Sequence, residues 1–173
     1  MINKKIYFFL FLIIFPTFVF AEVNVYYLDL QKIMNESKAG HSIKNQLDKL
    51  HKDNLTQFEK TEKFLKEEEE NILSKKNVIK KTDYETLVNE LRVKVNDYRT
   101  SRKKIIDELN DKRLSTTKLL LQQINPIIAQ YAAEESIQLI LPKRNIIMGK
   151  TELDITEKIL TIVNKKIKKA KVN

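Results

Sequence analysis

Two histidines, His41 and His51, lie ten residues apart in a chain with no cysteine. A metal site needs several His, Cys, Asp or Glu side chains converging at ligand spacing. Neither histidine has such company in sequence, so both read as helix-surface residues. Glu67–Glu70 is a run of carboxylates, but consecutive helical residues point around the axis, so the run reads as a solvated face. Asp29 and Asp154 each precede a segment of helical pattern, where a carboxylate suits capping of free backbone N–H groups. No serine stands in a nucleophile context. With only two glycines, the chain has no loop to cradle nucleotide phosphates. The expectation is a protein that is not an enzyme and carries no cofactor and no metal.

The chemistry that remains is binding. The 173 residues hold 32 basic and 23 acidic side chains, a net charge of +9. Cations gather at Lys80, Lys81, Arg92, Lys94, Arg99, Arg102, Lys103, Lys104, Lys112 and Arg113. Phe58, Phe64, Leu65, Ile72 and Val78 are expected to stand exposed nearby. Such a surface attracts acidic polymers over a Debye length of ~8–10 Å and offers weak, diffuse apolar contact. We therefore take Lys80, Lys81, Arg92, Lys94, Arg99, Arg102, Lys103, Lys104, Phe58, Phe64 and Leu65 as the candidate binding residues.

Those residues need elements to hold them. Val23–Leu28 is β-branched and aromatic and predicts a short strand. Asp29 can cap a short helix over Leu30–Asn35, and Ser37-Lys38-Ala39-Gly40 is expected to break it. His41 opens a long polar stretch free of Gly and Pro until Pro126. Lys75-Lys76, Asn77 and the Thr82-Asp83 cap signal divide it into helices over 41–76 and 83–125, joined by a turn near 77–82. A short turn between long helices gives an antiparallel hairpin. In the second helix Tyr84, Val88, Leu91, Val95, Tyr98, Arg102, Ile105 and Leu109 step alternately by four and three, a heptad stripe. The first carries a weaker one through Ile43, Leu47, Leu50, Asn54, Phe58, Leu65 and Ile72. A stripe that narrow suits a two-helix arm standing in water.

Pro126 is expected to kink or restart the second helix. Ile137–Leu141 and Asn145–Met148 predict two more strands around a Pro142-Lys143-Arg144 turn, and either Asp154 or Thr156 can cap a last helix lined by Ile155, Ile159, Ile162, Val163 and Ile167. The fold class is α+β, mostly α: a helical arm over 41–125 on a small strand-built body of 22–40 and 126–173. Three short strands bury too little alone, which predicts an obligate oligomer with a shared sheet.

The first twenty-one residues read as an export signal. Met1–Lys5 carries two lysines, Ile6–Val19 is apolar, and Val19-Phe20-Ala21 offers a cleavage point after Ala21. Export to a periplasm separates the chain from ATP and from the chromosome. The basic balance then points to acidic protein clients, lipopolysaccharide or anionic lipid head groups, with no nucleic acid.

The order of parts carries a resemblance. An export signal is followed by a strand ending Tyr27-Leu28-Asp29, then Ser37-Lys38-Ala39-Gly40 and a helical hairpin. Behind the Pro126 segment come Ile137–Leu141, Asn145–Met148 and Leu153-Asp154-Ile155-Thr156 opening the closing helix. This resembles the Skp (OmpH-like) family of periplasmic chaperones over the whole exported chain. The resemblance implies a homotrimer whose strands build a small barrel from which three hairpins hang around a cavity. It implies that unfolded outer-membrane proteins are held there without ATP and passed toward the outer-membrane assembly machinery. The sequence departs from the pattern at Glu135-Ser136, where a turn glycine often stands. No residue-by-residue match carries over a lipopolysaccharide site. The competing expectation is a structural periplasmic coiled-coil spacer without client binding, for which a strand-built body is superfluous.

Overall fold

The computed structural model describes residues 24–170 and 172; the expected export signal and its expected cleavage point at Ala21 lie outside them. The elements are β1 (Val25–Leu28), α1 (Leu30–Glu36), α2 (Lys38–Ser74), α3 (Lys81–Glu134), β2 (Leu139–Pro142) and α4 (Thr156–Lys166). Single 3₁₀ turns lie at Lys143–Asn145 and Thr151–Leu153. The architecture is α+β and mostly α, as the sequence predicts.

Asp29 starts α1 by accepting the Lys32 backbone N–H at 2.9 Å. Ser37, wholly buried, then serves two helices. Its N–H donates to the Ile33 carbonyl at 3.1 Å and closes α1. Its Oγ accepts the Gly40 N–H at 3.0 Å and caps α2. The expected break at Ser37–Gly40 is therefore a single-residue corner, and the first long helix begins at Lys38 rather than His41. Gly40 is there for space. A Cβ on it would lie 1.8 Å from the Met34 carbonyl oxygen, so no side chain fits where α2 leaves α1.

α2 and α3, of 37 and 54 residues, pack as the hairpin. The turn occupies 75–80, two residues earlier than expected, and Thr82 and Asp83 fall inside α3. Lys80 takes the extended cap conformation without a side-chain cap bond. The predicted stripes form the seam in part: Ile43, Leu47, Phe58 and Ile72 of α2 and Leu109 of α3 are buried, most of the rest are half-buried, and Leu50 and Arg102 are exposed; Thr116, Leu120 and Ile124, outside the predicted stripe, continue the buried line on α3.

α3 runs through Pro126 to Glu134, so of the kink or restart expected there the restart does not occur. Pro126 and Gln122, whose carbonyl loses its donor, are both solvent-exposed, so water can satisfy that carbonyl. On the other face Ile124, Ile127 and Tyr131 are buried and hold the backbone helical. α3 ends in a Schellman arrangement: Ile137 N–H donates to Ala132 O at 2.8 Å and Ser136 N–H to Ala133 O at 3.3 Å. Ser136 has φ 53°, the left-handed conformation that glycine favours. The departure noted at Glu135-Ser136 is thus a departure of residue type and not of geometry.

β1 and β2 pair in parallel, from Val25 opposite Leu139 to Leu28 opposite Pro142. The second strand therefore extends through Pro142, where a turn was expected. The third expected strand, Asn145–Met148, is absent. The far edge of β1 is taken by the approach to α4: Tyr27 bridges to Asp154, and Ile155 N–H donates to Tyr27 O at 3.0 Å. Residues 145–148 instead close a 3₁₀ turn and form a bend, and Ile147 and Met148 project fully into solvent. The core of the body is Ile33 of α1, Ile124 of α3, and Ile155, Ile159 and Val163 along α4, all wholly buried. Ile167, assigned to the last helix by pattern, follows its end but stays buried.

Candidate functional site

The arm presents its functional side chains from two helices whose seam fixes their register. At mid-arm the Phe58 ring meets Tyr98 edge-on, with centroids 6.4 Å apart, and the Arg102 guanidinium lies 5.3 Å above the same ring. Glu62 accepts from Tyr98 Oη at 2.5 Å and from Arg102 at 3.2 Å. Burial, then the neighbouring Glu62 carboxylate, pushes the Tyr98 phenol above its ordinary range, so it stays a donor. One turn along, Glu68 turns into the seam and receives Lys94, while the rest of Glu67–Glu70 faces solvent.

Two open grooves flank this cluster. One, of about 1140 Å³, has a floor of Val88, Leu91, Val95 and Ile106 and a rim of Lys66, Arg92, Arg99, Arg102 and Lys103, with two carboxylates, Glu62 and Glu69, among them. Four of the eight predicted cations therefore meet above one apolar surface. The other, of about 320 Å³, is lined by Phe58, Phe64, Leu65, Lys94 and Tyr98. Lys80 and Lys81 stand apart at the tip.

The two groups of cations differ in their partners. Lys81 pairs with Glu85 at 3.9 Å, Arg102 with Glu62, Lys103 with Asp107 at 3.0 Å and Lys104 with Glu108 at 3.9 Å. Among the described residues, Lys80, Arg92 and Arg99 have no acidic side chain at ion-pair distance; Arg92 reaches only the Asn89 amide oxygen, at 3.5 Å.

The apolar residues expected to be exposed divide as well. Phe64 and Val78 are 57% and 80% exposed, but Phe58 and Ile72 are buried in the seam and Leu65 is half-buried. Phe58 and Ile72 occupy seam positions of the α2 heptad pattern, so their burial follows from the period. The exposed Leu73, Val93 and Leu114 were missed. Each lies off the stripe, and that was the available signal.

The helix-start acids behave as caps. Asp29 caps α1 directly. Asp154 Oδ1 accepts the Thr156 N–H at 3.0 Å and Oδ2 takes Lys143 Nζ at 2.7 Å, while Ile155 is the capping residue by backbone position.

A profile of the outer membrane protein (OmpH-like) family matches residues 24–163. The chain belongs to the OmpH-like family. No curated protein matches it. A crystal structure described as a candidate outer membrane chaperone (OmpH-like) from Caulobacter crescentus CB15 superposes with a TM-score of 0.83 at 16% identity. The alignment covers 87% of this chain and 89% of that one, a likeness of fold. In this OmpH-like chain the matched span takes in both strands, the whole arm and α4 as far as Val163. Residues 164–173, which carry five lysines, lie beyond it.

Proposed function

We propose that this OmpH-like chain is an ATP-independent periplasmic holdase. It assembles as a homotrimer and keeps unfolded outer-membrane proteins apart in the space between its arms. The body, 22–40 and 126–173, carries assembly, and the arm, 41–125, carries the client. The groove in which Arg92, Arg99, Arg102 and Lys103 rim an apolar floor carries this reading. It offers acidic unfolded chains both electrostatic attraction and loose apolar contact. Family membership and the export signal at 1–21 support it further.

The mechanism is steric and electrostatic. A held client cannot meet another client, and many weak contacts leave it free to depart. Lipopolysaccharide or anionic lipid is a second anionic partner for the same cations. The test is dilution of a urea-unfolded outer-membrane barrel protein with residues 22–173, followed by light scattering at low and high salt without ATP. Aggregation suppressed at about one oligomer per client, and less so at high salt, is the expected result. Unchanged scattering at several-fold excess of correctly assembled protein would remove the reading.

A further inference from the structure

We infer that Ser42 and Gln46, at the root of the arm, form a site that reads the backbone of an extended chain. At rest this protein's own C-terminal segment fills it. When that segment lifts, the site takes a strand of an unfolded outer-membrane protein. The identity of that strand rests on the function proposed above.

The geometry is that of a parallel β-ladder built with a side chain. Gln46 Nε2 donates to the Ala170 carbonyl at 2.8 Å, and Gln46 Oε1 accepts the Val172 N–H at 3.2 Å. In a parallel sheet one residue donates to the residue before its partner and accepts from the residue after it. The Gln46 carboxamide reproduces that pattern on residues 170 and 172, because an amide offers one donor face and one acceptor face. Ser42 holds the arrangement. Its carbonyl and its Oγ both accept from Gln46 Nε2, at 3.1 and 3.2 Å, and its hydroxyl donates to Ala170 O at 3.3 Å. Every one of these contacts to the C-terminal segment is to backbone, so the site selects for extended chain and not for sequence.

The occupant lies past the last helix. Among the described residues, regular structure stops at Lys166 and Ile167 is the last buried side chain. Ala170 and Val172 are half-buried against the core, and Lys168 and Lys169 face water. Three part-buried hydrogen bonds tie it to the arm, each worth about 1 kcal/mol net, few enough for local opening. The segment also has the right pattern to imitate a client. Lys169-Ala170-Lys171-Val172 alternates polar and apolar, as does each strand of a membrane β-barrel.

The experiment titrates two fluorescent peptides by anisotropy: residues 167–173 of this chain, and a ten-residue alternating strand of an outer-membrane barrel. The proteins are residues 22–173 and residues 22–167, matched in helicity and oligomer size. The shortened chain is expected to bind both peptides. The full chain should bind them at least tenfold more weakly, because its own segment competes at an effective concentration near ~1 mM. Gln46→Ala in the shortened chain should weaken both roughly tenfold; Gln46→Met, closer in shape, serves if the alanine variant misfolds. Failure of the shortened chain to bind either peptide, binding of the 167–173 peptide alone, or affinity indifferent to Gln46 would each overturn the proposal. Failure of the full chain to suppress barrel aggregation strikes the function proposed above, and leaves the peptide titration to judge this site separately.

Discussion

The backbone N–H of Asp29 donates to the hydroxyl of Thr156 at 2.9 Å, joining the first helix start to the last across 127 residues of sequence. The same hydroxyl donates onward to Asp154 Oδ1. Thr156 is 3% exposed, so water cannot replace it. Thr156→Val keeps the shape and leaves the Asp29 N–H without an acceptor. An unsatisfied donor of this kind costs about 1–3 kcal/mol. Urea unfolding should show a lower midpoint at unchanged slope, with the loss confined to stability and client capture intact at temperatures where the body remains folded.

Asp154 gathers Thr156 and Lys143, and its titration follows. Burial alone would raise its carboxyl. The Lys143 ammonium and the Thr156 hydroxyl and N–H outweigh that and hold it below the ordinary carboxylate range. A carboxyl depressed on folding contributes stability that is fully present above its unfolded value, about 3.9. That contribution is lost as pH falls through the lower folded value. The urea midpoint of the wild type should therefore fall between pH 5 and pH 3. Asp154→Asn should start lower and respond less over the same range. Parallel curves for the two proteins would show that the acid sensitivity lies elsewhere.

Ser136 gives a stabilising substitution. It adopts φ 53° as the left-handed residue of the Schellman end of α3. That conformation costs a residue with a Cβ roughly 1–2 kcal/mol. Ser136→Gly removes the penalty, offset partly by the greater freedom of glycine in the unfolded chain. A net gain of about 0.5–1 kcal/mol in chemical denaturation is expected. A loss would mean that the Ser136 side chain contributes more than its backbone conformation costs.

How far the sequence reveals this structure depends on whether a signal is local. The seam was legible because Tyr84, Val88, Leu91, Val95 and Tyr98, all half-buried, keep the heptad period along α3. The break after α1 was legible but its length was not: only Ser37 lies outside a helix, capping α2, while Lys38, Ala39 and Gly40 are already helical and Gly40 clears space beside α1. The restart offered at Pro126 does not form, because propensity predicts the local cost and not the burial of Ile124 and Ile127 that opposes it. The strand expected at Asn145–Met148 had strand composition, but the place beside β1 goes to Asp154 at the approach to α4, a tertiary arrangement no local pattern contains. In the candidate site, the cations on α3 were legible one by one. That four of them share one groove, and that Phe58 turns inward beneath Arg102, depends on how α2 and α3 pair.

Phe58 and Phe64 lie six residues apart and should separate stability from capture. Phe58 is 6% exposed and sits beneath Arg102 against Tyr98. Phe58→Ala removes a buried ring and should cost about 3 kcal/mol, seen as earlier melting of arm helicity by circular dichroism. Phe64 is 57% exposed, so Phe64→Ala should leave that melting curve within about 0.5 kcal/mol. If the arm binds clients through its exposed apolar residues, Phe64→Ala should nonetheless weaken suppression of aggregation. Equal melting losses in the two variants would contradict the burial difference.

The cations should separate in the same way, by their partners. Arg92 and Arg99 stand over the larger groove without an acidic neighbour at ion-pair distance. Lys103 and Lys104 are tied to Asp107 and Glu108 one turn on. A client carboxylate meets the first pair directly, but must displace an existing ion pair at the second. Arg92→Gln with Arg99→Gln should therefore lower client affinity roughly three- to tenfold at low salt, while Lys103→Gln with Lys104→Gln changes it less. The arginine variant should also lose much of the salt dependence, because screening acts on charges that have been removed. Both double variants change the net charge equally. If they reduce affinity equally, the clients sense only the overall positive field, and the groove is not a preferred site.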